Sequence, residues 1–477
     1  MISWYRLSFR KVAYSILSLY LVVTCYTGFH LLTRRLQIRA QDKELLERIK
    51  SLSLSEMADD PEWNPWGEEF ESEQGPRLHH APPPLWSVER PVAKRSPLDS
   101  KDANTSSQEL VVEIWGKAAI GLYLWEHILG GLLESRMNGV WSYGERTLRP
   151  ITFRFRTGPG VVPSKVPRFA ENVVLVLNGR SPAQVEASRP WLDLLPSLPM
   201  LRNAAVLMLG NERCDNSWLL QYMSHQGGRV KVAFLVYDSP LVDNEHFFQW
   251  PLGVATYRQF PLIDSSDLPL YQKRHYMYNF MGTVHPNSTR QDLMKALNTS
   301  SFRNKGYVKP RMEWMPQETE DTRNAFTEAL AQSDLTLNPV GFNTECYRIY
   351  EALSFGSVPV IEDVMTPGYC GNGPGMNNSL RHSISRPDGS LDKRNLTAYK
   401  HYSPPLRLLK EFGAPVIYIK NWLTDLEPLL KKEAEMSDYD RSKRRANAVK
   451  WYNKFKVAMR DRFHEVLLKK FFNIQRR

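Results

Sequence analysis

The sequence predicts an α/β protein whose parallel sheets carry a ligand crevice beyond the carboxyl ends of their strands. Three observations predict it. Near-continuous apolar runs at 173–177, 205–209 and 230–237 each stop at a polar cluster: Asn178-Gly179-Arg180, Gly210-Asn211-Glu212-Arg213 and Tyr237-Asp238-Ser239. Strands buried on both faces of a parallel sheet read this way, and ligands collect just past their ends. Residues 333–363 read as strand, loop, helix, glycine stop, strand. Finally, 477 residues with 42% apolar and 24% charged content provide full cores for two or three domains.

Taken in order, residues 1–11 read as a cytoplasmic tail and 12–32 as a transmembrane signal anchor. That stretch has no charge and is long enough to cross a bilayer. Arg6, Arg10 and Lys11 precede it and Arg34 and Arg35 follow, so charge alone does not orient it. Five N-x-S/T sequons, at Asn104, Asn287, Asn298, Asn377 and Asn395, all lie beyond it. They are usable only in the secretory lumen, which predicts a type II protein with its body on that side. Cys25 falls in the anchor, so Cys214, Cys346 and Cys370 allow at most one internal disulfide.

Residues 33–105 form a stem, charged and then proline-rich, that buries too little apolar surface to fold alone. Trp63 and Trp66 are its apolar exception. The first α/β domain spans 106–265. It opens with a strand, a Gly-Lys loop carrying Lys117, and a helix carrying Glu126 and His127. The aromatic, proline- and glycine-broken stretch 247–260 bridges to the second domain, 266–425. There a strand ends in Gly282, and a helix follows with Ser288 as cap and Arg290 near its start.

In the 333–363 unit, Pro339 and Gly341 end the strand, Asn343 or Thr344 caps the helix, and Gly356 stops it. Glu345 is expected in the first turn. Cys346, Ile349, Tyr350 and Leu353 share one face at helical spacing, while Arg348 and Glu351 lie on another. The plainest reading of that pair is surface ion pairing. A long loop, 368–403, follows as a possible lid. A strand at 416–419 comes next, and 426–477 is a basic helical tail with Trp451, Phe455, Phe463 and Leu467 on one face.

The order hydrophobic-P-x-G, R-x-x-E-A-L, G-x-x-P-V-I-x-D in 337–363 resembles the donor half of exostosin-type glycosyltransferases. The strand closing on F-x-G at Gly282 and followed by Arg290 is similar to them too. The resemblance implies a GT-B fold: two Rossmann-like domains facing a cleft, the first for acceptor and the second for donor. Many GT-B enzymes have a glutamate where this chain has Asn343, so Glu345 or Asn343 is expected to substitute. Longer runs, 62–66, 114–128, 248–258 and 343–352, resemble the xylose-transferring members that act in the Golgi on the O-mannosyl glycan of α-dystroglycan. They imply UDP-xylose as donor, ribitol phosphate as acceptor, and an inverted β-1,4-xyloside as product.

An inverting transferase needs one base for the acceptor hydroxyl and charge stabilisation for the departing diphosphate. Arg348 and the helix start at 343–345 suit the second task. Gly282, Arg290, Gly341, Asn343, Thr344, Glu345, Glu351 and Asp363 complete the expected donor site, with Glu351 at the ribose. Lys117, Arg180 and Glu126 are expected at the acceptor. Glu126, His127, Glu212 and Asp238 all remain candidates for the base, although capping or ion pairing is the ordinary role of any one of them.

No metal is required: the one D-x-D, Asp438-Tyr439-Asp440, falls in the polar tail helix. The net charge of +11 suits an anionic substrate or membrane surface. Its scatter, with no nucleic-acid-binding motif, excludes nucleic acid as the expected partner. Other enzymes of the same glycan pathway are possible partners. Two rival readings are an exostosin-like transferase using another UDP-sugar and an inactive glycan-binding Golgi protein that assists another transferase.

Overall fold

Apolar strands joined by helical crossovers build two sheets, seen in a computed structural model that describes residues 110–136, 139–312, 319–366, 368–370 and 405–474. The tail, anchor and stem (1–105), Asn104, Asn377 and Asn395, and most of the 368–403 loop lie outside the described residues. Among the described residues no helix is long and apolar enough to cross a membrane.

The first sheet contains β1 (Leu110–Gly116), β2 (Glu134–Arg136), β3 (Trp141–Leu148), β4 (Ile151–Thr157), β5 (Asn172–Asn178), β6 (Asn203–Leu209), β7 (Val230–Val236) and β8 (Phe247–Trp250). Their order is β2-β3-β4-β1-β5-β6-β7-β8. From β4 to β8 every pairing is parallel; β3 runs antiparallel to both β2 and β4. Central strands β5 and β6 are buried almost throughout, which is why they read as unbroken apolar runs. Helix α1 (Pro182–Leu194) starts on Ser181, whose hydroxyl accepts the Gln184 N–H.

The second sheet is wholly parallel, in the order β10-β9-β11-β12-β13. Its strands are β9 (Tyr276–Thr283), β10 (Gly306–Arg311), β11 (Ser333–Asn338), β12 (Val358–Glu362) and β13 (Ile417–Ile419). Around it lie α2 (Thr289–Thr299), α3 (Glu320–Ala331), α4 (Tyr347–Phe355), α5 (Arg407–Glu411) and α6 (Trp422–Glu435). Ser288, Thr319 and Asn421 cap α2, α3 and α6 with side-chain oxygens. Gly356 takes the left-handed conformation (φ 72°) that closes α4, as its place in the sequence predicts.

The terminal helix α7 (Asp438–Phe472) links the two sheets. Near its start Arg445 pairs with Asp334 of β11 at 2.7 Å. Near its end Phe463 is fully buried among Phe153, Phe234 and Trp250 of the first sheet. Trp451, Phe455, Phe463 and Leu467 form the packing face that their spacing predicts. One continuous core therefore runs from Val112 and Phe153 through Ile349 and Leu353 to Phe463 and Leu467.

Three features differ from the sequence expectation. Residues 247–250 are the edge strand β8, so only the rest of 247–260 serves as connector. The helix after β1 is one short α turn followed by a π-helical turn, Tyr123–Ile128. Strands β2, β3, β4 and β10 had no clear run of their own; much of β3 is exposed and its pattern is polar.

Candidate active site

Helix α4 presents its amino-terminal end at the carboxyl ends of β9 and β11. Its N-cap is Cys346, with no side-chain cap bond, so helix begins at Tyr347 rather than after Asn343 or Thr344. Glu345 consequently precedes the helix instead of occupying its first turn. The positive end of the helix dipole thus coincides with Arg348.

Arg348 is half-buried and does not pair with Glu351. Its Nε and Nη2 are buried without a hydrogen-bond partner. The guanidinium carbon lies 5.8 Å from the centre of the Phe280 ring. Gly282 leaves the space it occupies, since a Cβ there would sit 3.2 Å from Arg348 Nη1. A half-buried cation with two buried, unmet donors at a helix start is a place where an anion would satisfy those donors.

The other residues expected at the donor hold this frame. Arg290 is buried and donates from Nη1 to the Thr283 carbonyl at 2.9 Å, fixing the end of β9. After Gly341, itself half-buried, Asn343 accepts the Glu345 N–H at 2.9 Å and donates from Nδ2 to the Glu212 carbonyl at 2.7 Å. Thr344 donates its hydroxyl to the Val364 carbonyl, and its N–H meets Thr366 Oγ1. The N–H groups of Thr344 and Glu345, expected to face the diphosphate, are therefore used inside the loop.

Glu351 is buried and accepts the Ala255 N–H at 3.0 Å; Glu345 accepts the Leu252 N–H at 2.9 Å and the Tyr350 hydroxyl. Both carboxylates bind α4 to the connector, where the sequence reading set Glu351 at the ribose. Burial pushes the Glu345 pKa up to about 7, against the pull of those two donors; the nearby Asp238 charge adds to the rise. Asp363 bonds Lys410 at 2.6 Å and Lys420 at 2.8 Å. Burial works against its charge, but the two ammonium groups more than offset it and lower its pKa.

On the first sheet, Lys117, Arg180, Glu212 and Asp238 follow β1, β5, β6 and β7, so all four stand at its carboxyl edge. Arg180 Nη2 is 2.6 Å from Glu212 Oε1, and the pair is almost fully buried. The Tyr237 hydroxyl reaches the same oxygen at 3.3 Å. Asp238 accepts the N–H groups of Leu406 and Arg407 at 2.6 and 3.2 Å, placing it at the start of α5. Burial raises its pKa and those N–H groups pull it back. Lys117 is half-buried, with a pKa lowered by burial.

Glu126 and His127 lie in the π-helical turn, more than one turn back from that edge. Burial, together with Lys456 of α7, lowers the His127 pKa to about 3, so the ring stays neutral but is a weak base. Asp438 and Asp440 are exposed in the first turn of α7, where Asp438 pairs with Arg441 at 2.8 Å. Among the described residues no group of three or more His, Cys, Asp or Glu is placed to hold a metal. Asn287 and Asn298 are exposed, on the loop before α2 and on its last turns.

Two contacts are not legible in the sequence. Phe280, the aromatic of the F-x-G near the end of β9, lies against Arg348. Cys214 and Cys370 form a disulfide across a sequence separation of 156, tying the loop after β6 to the chain after β12. The cysteine count allowed one such bond, and the buried Cys346 stays outside it as a thiol.

Comparison with known proteins adds the family. Residues 112–251 match the model of the RXYLT1 N-terminal domain, and 257–385 with 392–472 match the RXYLT1 C-terminal domain. The chain is 41% identical over 467 residues to ribitol-5-phosphate xylosyltransferase 1 of Danio rerio, covering 97% of each. It is 38% identical over 474 residues to that of Homo sapiens, covering 97% of this chain and 98% of the relative. The catalytic domain of starch synthase IV from Arabidopsis thaliana overlays 76% of this chain and 99% of its own, at 9% identity and a TM-score of 0.34, a likeness too slight to bear on the fold. Two matched domain models and relatives aligned from end to end place the chain in the RXYLT1 family, that of ribitol-5-phosphate xylosyltransferase 1.

Proposed function

We propose that the chain is a glycosyltransferase moving xylose from UDP-xylose to ribitol 5-phosphate on the O-mannosyl glycan of α-dystroglycan, with inversion to a β-1,4-xyloside. The full-length relationship supports the reaction, and Arg348 is the observation that carries the chemistry. A first sheet parallel from β4 to β8, a second that is wholly parallel, a connector and a returning helix support a GT-B arrangement. In that arrangement the second sheet binds UDP-xylose and the first the acceptor. The cleft between their carboxyl edges is the reaction site.

The acceptor hydroxyl oxygen attacks C1 of the xylose from the side opposite UDP. As that bond forms, the bond from C1 to the β-phosphate oxygen breaks, and its electron pair leaves with UDP. Arg348 and the start of α4 neutralise the charge that grows on the diphosphate. The hydroxyl proton goes to a carboxylate of the first sheet. Glu212 is best placed, because its own backbone carbonyl is bonded to Asn343 of the donor loop. Arg180 orients that carboxylate, which leaves Lys117 to receive the acceptor phosphate.

Arg348 fills the electrostatic role that a divalent cation fills in other transferases, so this mechanism needs no metal. The uncharged 12–32 stretch and the sequons, of which Asn287 and Asn298 are exposed, support a single-pass type II protein of the Golgi membrane with a lumenal body. The test is a screen of UDP-sugars against a ribitol 5-phosphate acceptor, with full-length protein and excess chelator. Transfer from UDP-xylose above all others is expected. A better donor, or no transfer from any donor even after manganese is added, overturns the proposal; transfer that appears only with manganese overturns its metal-free part.

A further inference from the structure

A second cavity opens on the first sheet, apart from the residues placed in the reaction. It encloses about 260 Å³ between β1, β3, β4 and the loop at 158–167. Trp115 of β1 and Trp141 of β3 line it with Val161 and Pro167, and Arg156 and Lys165 are its only charged residues. Gly160 and Val140 pack closely in its wall, where a Cβ on Gly160 would lie 2.4 Å from Val140 Cγ1. Arg156 is held by Glu113 and lies 5.3 Å from the centre of the Tyr143 ring. Trp115 is 1% exposed while Trp141 is half-buried, so Trp141 offers the ring that a ligand can cover.

We infer that this cavity binds the part of the acceptor glycan beyond the reacting ribitol, namely a sugar or alditol unit with its phosphodiester. The inference rests on the acceptor role of the first sheet given above. An indole beside aliphatic walls suits the C–H face of such a unit, and Lys165 suits its phosphate, while the charge of Arg156 is already met by Glu113.

Position supports the same occupant. Trp115 and Arg156 are the last residues but one of β1 and β4, in register with one another, near the edge that also carries Lys117 and Glu212. The strand order there is β3-β4-β1-β5-β6, so Trp115, Arg156 and Trp141 stand two, three and four strands from the β6 end that carries Glu212, roughly 10, 14 and 19 Å at the usual spacing. Those distances span a few glycan units from the reacting hydroxyl. An acceptor lying along the edge would pass Lys117 on its way from Glu212 to Trp141.

The test compares two synthetic acceptors on full-length protein: ribitol 5-phosphate alone, and ribitol 5-phosphate joined through a phosphodiester to a pyranoside. Trp141→Ala and the exposed Lys165→Glu should each raise KM for the longer acceptor about tenfold. The KM for the shorter acceptor, the KM for UDP-xylose and kcat should stay unchanged. Direct calorimetric binding of the longer compound should weaken to the same extent, a readout that does not depend on transfer. Unchanged KM and binding in both variants, in protein that transfers xylose, overturns the subsite and leaves the reaction intact. Binding that fails in the unsubstituted protein overturns it too. Weakened binding in protein that transfers no xylose supports the subsite and removes the reaction instead.

Discussion

The guanidinium of Arg348 is seated against the bare backbone of Gly282, where a side chain would bring a Cβ to 3.2 Å from Nη1. Gly282→Ala should therefore shift the guanidinium by a few tenths of an ångström and lower kcat about threefold to tenfold. The backbone at Gly282 needs no left-handed conformation, and the displaced atom is a side-chain tip. The melting temperature should accordingly move by less than about 4 °C. A variant that melts normally and turns over normally would show that the position of Arg348 is unimportant.

Glu212→Gln removes the proposed base and leaves Arg180 buried without its counter-ion. Turnover should fall by about 100-fold or more, while UDP affinity is retained. Stability should fall as well, by roughly 3 kcal/mol. Assays well below the melting temperature, normalised to folded protein, separate the two effects. Full specific activity in that folded fraction would reduce Glu212 to an ion-pair partner.

Glu345 introduces a pH dependence whose sign follows from its pKa of about 7 in the folded protein. The folded state holds a proton that the unfolded chain releases near the ordinary carboxylate value. Stability should thus fall as pH rises from about 4.5 through 7, by roughly 3 kcal/mol for this group. Glu345→Gln keeps an oxygen for the Leu252 N–H and the Tyr350 hydroxyl, so it should melt higher than the unsubstituted protein at pH 8 and about equally at pH 4.5. Equal melting differences at both pH values would contradict a protonated Glu345.

The Cys214–Cys370 bond closes a loop of sequence separation 156. Cys370→Ser should lower stability by about 2–5 kcal/mol, read as a drop in melting temperature. The same bond anchors the loop carrying Glu212, so kcat should fall further than UDP affinity. A change in neither would detach this bond from both fold and site.

Much of this architecture is legible in the sequence because its central strands are buried on both faces. Strands β5, β6, β7, β9, β11 and β12 read as apolar runs, and Gly356 marks the end of α4 for a local steric reason. Strand β10 is an edge strand, and β3 lies between the short edge strand β2 and β4. Both are poorly buried, so their patterns are mixed and give no apolar run. The start of α4 was misplaced because Asn343 and Thr344, both good capping residues, spend their side chains on the Glu212 carbonyl and the Val364 carbonyl. What is local was legible, as in the placing of Arg348 away from the packing face of α4. What depends on distant partners was not: Glu345 with Leu252, Glu351 with Ala255, and Arg180 with Glu212 each span more of the chain than any motif.

The central claim is that Arg348 stabilises the departing diphosphate. The direct test is kcat for xylose transfer by Arg348→Ala, measured beside UDP affinity and melting temperature. Stabilisation that strengthens as the bond breaks predicts a loss of about 100-fold or more in kcat, with UDP affinity reduced much less and melting little changed. Arg348→Lys should recover only part of that loss, because an ammonium lacks the planar fork of donors. A folded Arg348→Ala protein with near-normal kcat would contradict the account.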